Sequence, residues 1–320
     1  MLKLYSILLF FFFCKNNATA QVQTSPQTMP QAAGSSTKLT DLKPPAAFLV
    51  SKTLIKTYAI KDLKTLWKAS HKPEFIVPIN YAVDVFEIIY KAPAVDEKSW
   101  INCSGICFIP KTNGKTVPTL VYGHGTEIKK SRTINDADPQ QGICMLMATD
   151  GYLTLFPDYY GMAKGDGNHY YQHAWSEAMS FIYMLYAVEE LKTETGISSN
   201  GQLFITGYSE GGHAAFAAQK YLEELNDPRF KVTASVPMSG AYDMAGVQSQ
   251  DMYHKYPHPF YLPYLITSYQ EAYRIIETDN IFSVFKAPYD TLLPPIFGAN
   301  RTQTYKDVVR GRECSNVDAS

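Results

Sequence analysis

The sequence predicts an α/β fold: a mostly parallel sheet with helices on both faces, completed by an aromatic-rich helical cap. Three observations carry that expectation. Between residues 115 and 240, short apolar runs bounded by turn residues alternate with longer helical patterns, the order that builds a parallel sheet. One such run, Leu203–Thr206, ends in Gly207-Tyr208-Ser209-Glu210-Gly211 and opens an alanine-rich helical stretch. After Ser239-Gly240 the alternation stops, and tyrosines crowd among prolines.

The elements follow in order. Residues 1–20 read as an export signal, with Lys3 as its charge, Leu4–Cys14 as its apolar run and Ala18-Thr19-Ala20 as a small-x-small cleavage site. Cleavage is expected after Ala20, into a periplasmic or extracellular compartment. The run is too short to span a bilayer, so no transmembrane segment is expected. Residues 21–45, rich in Gln, Ser, Thr, Pro and Ala, predict a disordered linker. Residues 46–242 hold the core. Tyr81–Tyr90 alternates as a strand, Ile101–Pro110 is a second with a turn at Asn113-Gly114, and Val117–Tyr122 is apolar enough to be central. Gly142–Thr149 predicts a helix and Tyr152–Pro157 a fourth strand. Ala174, Ala178, Phe181, Leu185 and Val188 recur at 4,3,4,3 spacing, one face of a long helix. The run before Ser209 and its helix come next, then the strand Val232–Pro237. Residues 243–300 predict the helical cap and 301–320 a polar tail.

Composition excludes several classes. Apolar residues make up 46 % and charged residues 18 %, enough to bury a sizeable core. The net charge of −1, without a basic stripe or polybasic run, argues against nucleic acid and anionic membrane surfaces as partners. Beyond the signal, Cys103, Cys107, Cys144 and Cys314 show neither C-x-x-C pairing nor metal-ligand spacing, and read as small buried hydrophobes. Cys103 and Cys107 share one apparent strand, about 13 Å apart, too far for a disulfide unless a turn breaks it.

The chemistry centres on Gly207-Tyr208-Ser209-Glu210-Gly211. A serine on a sharp strand-to-helix turn has a strained backbone and an open hydroxyl, and glycines at either side avoid collision across the turn. Ser209 is therefore the expected nucleophile, attacking a carbonyl carbon to form an acyl-enzyme. Acyl transfer also needs backbone N–H donors aimed at the oxyanion. Glu210, next after the serine, supplies one; Thr126, in Tyr122-Gly123-His124-Gly125-Thr126, supplies the other. His124 precedes Ser209, against the usual Ser–Asp–His order, and is expected to brace its loop. Such a mechanism requires no organic cofactor and no metal.

The chain resembles the secretory lipase family of α/β-hydrolases, the Candida lipase A type and its exported bacterial relatives, over residues 81 to about 300. The resemblance rests on Cys103–Pro110, on His124-Gly125-Thr126, on Phe156–Met162, on His169–Ala174 with Ser176-Glu177-Ala178, and on Gly207–Gly212. It implies an ester hydrolase with Ser209 as nucleophile, Thr126 and Glu210 as oxyanion donors, and a structural Asp158. In that family the acid and histidine follow the cap, after two further strands. Residues 301–320 are polar and fit neither, so a C-terminally truncated chain is expected. Asp243, His254 and His258 are the candidates that remain; His213 is expected to face away from the serine. An exported lipase or esterase acting on a small-molecule or lipid ester leads the functional readings. A serine peptidase on the same fold is one alternative, and a catalytically dead fragment or lipid-binding relic another. The sequence does not define an oligomeric state.

Overall fold

Strands begin earlier in the chain than the sequence pattern shows. The computed structural model describes residues 42–69, 78–132, 134, 138–253 and 260–297. Within them β1 (Leu49–Tyr58) pairs antiparallel with β2 (Val83–Pro93), and α1 (Ile60–Ala69) lies between the two in sequence. Most of β1 is exposed, so it has no core-facing alternation to betray it. Its start is tied to the core by the Glu190 carboxylate, which accepts the Phe48 and Leu49 N–H groups at 2.8 and 2.9 Å. Lys43, at the end of the expected linker, accepts the Trp100 indole N–H at 2.9 Å. The export signal, the rest of the linker, Cys314 and the polar tail lie outside the described residues.

The sheet runs β1-β2-β3-β5-β4-β6-β7, with β3 at Trp100–Pro110, β4 at Val117–Gly123, β5 at Leu153–Pro157, β6 at Ser199–Tyr208 and β7 at Val232–Met238. β2 and β3 pair without a register shift from Val83↔Pro110 to Pro93↔Trp100. Only β1 and β3 run against the other strands, so five of the seven point one way. Parallel neighbours need crossovers, and helices provide them. α2 (Pro139–Thr149) joins β4 to β5, α3 (Ala174–Thr195) joins β5 to β6, and α4 (Glu210–Leu225) joins β6 to β7. The chain passes from β4 to β5 on one side and then returns over β4 to β6 on the other. The carboxyl ends of β4 and β6 thus flank a topological switch point, where open α/β sheets bind ligands.

On one face, Cys107, Val121, Leu155 and Ile205 pack against α3 and α4 through Phe181, Ala214 and Ala218. On the other, Val85, Ile106, Phe108 and Phe156 meet Cys144 and Ala148 of α2 and Leu63 of α1. Cys103, Cys107 and Cys144 are free and buried, and burial pushes their thiols up. After β7 the described chain is helical. A π-turn (Met244–Gln248) leads to α5 (Ser249–Tyr253), α6 (Tyr261–Tyr273), a 3-10 turn (Ile281–Val284), α7 (Tyr289–Leu292) and α8 (Pro294–Phe297). Tyr264, Leu293, Ile296 and Phe297 of this region close on Tyr171 as a separate small core. Among the described residues, no helix is long and apolar enough to cross a membrane, and no group of three or more acidic, histidine or cysteine side chains could hold a metal.

Candidate active site

Ser209 sits between β6 and α4 at φ 60° and ψ −122°, a conformation that residues with a side chain rarely adopt. Close backbone packing holds it there. A Cβ on Gly207 would run into the Gly211 carbonyl, one on Gly211 into the Gly123 carbonyl, and one on Gly212 into the Met238 carbonyl. Only glycines let β4, β6 and the first turn of α4 approach so closely. The Ser209 N–H donates to the Met238 carbonyl at 2.9 Å, and its carbonyl accepts from Gly212 at 2.9 Å and His213 at 3.2 Å.

The loop after β4 lies against this turn. A Cβ built on Gly125 would stand 3.8 Å from the Ser209 Cβ. The Gly125 N–H donates to Gln140 Oε1 at 2.7 Å, which leaves Thr126 as the next N–H along the loop. His124 is buried, its Nδ1 2.7 Å from the Gly125 carbonyl, and its ring lies over Tyr159 and Phe156 at 4.2 and 5.4 Å. Burial and the nearby Arg132 charge hold its imidazole well below the ordinary range, which suits a neutral brace. Tyr159 donates to the His124 carbonyl at 2.8 Å. The Thr126 hydroxyl is 3.4 Å from the Tyr171 hydroxyl, and the Tyr171 ring stacks on Tyr264 of α6 at 4.5 Å.

Asp158 lies away from Ser209's hydrogen bonds. Its carboxylate binds the Ser104 hydroxyl at 2.8 Å and the Arg132 guanidinium at 2.6 Å, and burial pushes its carboxyl up against both. The Ser104 contact ties the chain just after β5 to β3, and the Arg132 contact ties it to the loop after β4.

Two acid–base side-chain pairs adjoin the serine turn. Glu210 Oε1 meets His169 Nε2 at 2.6 Å, and His213 Nδ1 meets Glu177 Oε2 at 2.6 Å. Glu177 Oε1 also accepts the Gln172 N–H at 2.8 Å. Burial pushes the Glu177 carboxyl up, against the pull of His213. Burial alone would lower His213, but the Glu177 carboxylate overrides it and holds the imidazole above its ordinary value. The His213 ring is therefore committed to α3. His169 and Glu177 stand in the motif His169–Ala178; partners 41 and 36 residues away are what sequence spacing could not supply.

Of the remaining triad candidates, Asp243 caps the π-turn. Its carboxylate accepts the Gly246 N–H at 2.8 Å and the Val247 N–H at 3.1 Å. Among the described residues, no hydrogen bond joins a histidine imidazole to Ser209 or to Asp243. His254 and His258 lie outside the described residues.

No protein-family model and no curated protein matches the chain. Solved structures do. A single-site variant of LipA, a rice cell wall degrading esterase from Xanthomonas oryzae, is similar at 25 % identity and a TM-score of 0.71, over 80 % of this chain and 67 % of that one. Another structure of LipA gives 24 % identity and a TM-score of 0.73, over 84 % and 70 %. A Legionella pneumophila protein thought to be a hydrolase gives 23 % and 0.70, over 83 % and 71 %. Candida antarctica lipase A aligns at 13 % identity with a TM-score of 0.46, and nothing about this chain follows from it.

Proposed function

We propose that this chain, an α/β-hydrolase of the lipase and esterase kind, hydrolyses carboxylic esters with Ser209 as its nucleophile. The observation that carries the reading is the backbone of Ser209 at φ 60° and ψ −122°, on a strand-to-helix turn at the switch point of the sheet. Strain of this kind persists only where the surroundings over-determine it, and it concentrates at active sites. In the proposed reaction the Ser209 Oγ attacks the ester carbonyl as its proton passes to a base. The N–H groups of Thr126 and Glu210 hold the oxyanion. The alcohol leaves on collapse, and water then releases the acid from the acyl-serine. His254 and His258 are the proposed sources of the base. The LipA structures favour esters over peptides. Export through residues 1–20 suits a substrate outside the cell. The aromatic surfaces of Tyr171, Tyr261 and Tyr264 near Thr126 favour a largely apolar acyl or alcohol group.

A second reading, a non-catalytic member of the fold, is favoured by one observation: no described histidine imidazole is bonded to the Ser209 hydroxyl. Hydrolysis of p-nitrophenyl butyrate by the wild-type chain and by Ser209→Ala separates the two, and a p-nitroanilide peptide run in parallel separates esterase from peptidase.

A further inference from the structure

The first turn of α4 is held by two buried pairs of opposite polarity. At Glu210 the helix offers the acid and His169 the base; at His213 the helix offers the base and Glu177 the acid. Residues three apart lie on one face of a helix, so both pairs grip the same side of the turn that begins at Ser209. Both partners come from the segment between β5 and the second turn of α3. The His169 Nδ1 lies 3.2 Å from the Tyr160 carbonyl, to which only an N–H can donate. Its Nε2 then faces the Glu210 carboxyl at 2.6 Å, and one proton must sit between them. A hydrogen bond between an imidazole and a carboxyl is stronger where water is excluded.

We propose that His169 is a positioning residue for ester hydrolysis: acting through the Glu210 carboxyl, it aims the Glu210 N–H at the oxyanion. The inference rests on the reading of Ser209 as nucleophile. Its physical basis is the shortage of other handles. Gly207, Gly211 and Gly212 have no side chains with which to fix the turn, and Ser209 must keep its own side chain available. Glu210 therefore carries the anchoring side chain next to the serine. That side chain is buried, and Oε1 on His169 is its one hydrogen bond among the described residues, Oε2 having none. An oxyanion donor has to be fixed before charge develops, because pre-organisation is what makes it effective. The same histidine also touches the cap. Its carbonyl accepts the Ser268 hydroxyl of α6 at 3.3 Å, and its ring lies 5.7 Å from that of Tyr264. The seat of α6 is thus one residue removed from the oxyanion donor.

The test uses the full chain with p-nitrophenyl butyrate, comparing wild type, His169→Ala and His169→Gln. Thermal melts and circular dichroism establish that each is folded. Removing a group that acts only in the transition state lowers kcat and leaves KM alone, whereas removing a merely structural tie lowers the melting temperature and leaves kcat per folded molecule alone. His169→Ala is expected to lower kcat about 10- to 100-fold with KM changed by less than about twofold. His169→Gln, whose amide N–H stands near the place of Nε2, is expected to recover part of that loss. Wild-type kcat in folded His169→Ala overturns the inference, as does a loss confined to KM. Should His169→Ala not fold, Glu210→Ala removes the link from its other end, and wild-type kcat there overturns the inference equally. If wild-type turnover survives in Ser209→Ala, the reading of Ser209 itself fails, and this inference falls with it.

Discussion

The Ser209 N–H donates to the Met238 carbonyl at 2.9 Å, which fastens the serine turn to the end of β7. β7 is therefore part of the site's scaffold, and the approach leaves no room at Gly212, where a Cβ would run into the same carbonyl. Gly212→Ala should destabilise the fold by about 3 kcal/mol, because the neighbour is backbone and cannot rotate aside. Urea unfolding of the purified variant measures this. A change below about 0.5 kcal/mol, the range of an ordinary surface substitution, would contradict the packing described.

Strain at Ser209 makes a second prediction. Glycine adopts φ 60° and ψ −122° without steric cost, so Ser209→Gly should raise stability by about 1 kcal/mol while abolishing turnover. Were the serine unstrained, the same change would lower stability by about 0.5–1 kcal/mol through the flexibility glycine gives the unfolded chain.

His173 provides a pH prediction. Burial, reinforced by His213, lowers its pKa to about 4 from the ordinary 6.5 of an imidazole. The unfolded chain then binds the proton more readily than the folded one, so stability rises with pH across this window. The contribution is complete above about pH 6.5 and is lost as pH falls towards 4. Between pH 7 and pH 5 the wild type should lose about 2 kcal/mol that His173→Gln does not. Denaturant titrations of both proteins at the two pH values test it, and equal losses would place the acid sensitivity elsewhere.

Asp243 has both carboxylate oxygens engaged by the π-turn. Asp243→Ala should cost about 1 kcal/mol, the usual worth of a cap. It should leave ester turnover within a few-fold, whereas a fall of about 10⁴-fold would make it the acid of a triad.

The serine turn was readable from sequence because glycine spacing, an apolar strand and an alanine-rich helix are all local signals. β5 and β7 were readable as short apolar runs bounded by turn residues, and α3 from the 4,3,4,3 spacing of Ala174, Ala178, Phe181, Leu185 and Val188. β1 was not, since Leu49–Tyr58 is exposed along nearly its whole length and no period is imposed on it. The Asp243 cap was open to view in the sequence, an aspartate with Gly246 three residues on, a spacing that suits local backbone bonding. The His169–Glu210 and His213–Glu177 pairs are of another kind. They form only when α3 and its preceding loop fold against α4, so no window of sequence contains both partners.

Turnover of p-nitrophenyl butyrate by the wild-type chain and by Ser209→Ala, with circular dichroism on both, tests the central claim most directly. The account predicts measurable hydrolysis by the wild type that disappears in a folded Ser209→Ala variant. Folded wild type without turnover, or equal turnover in the two proteins, would contradict it.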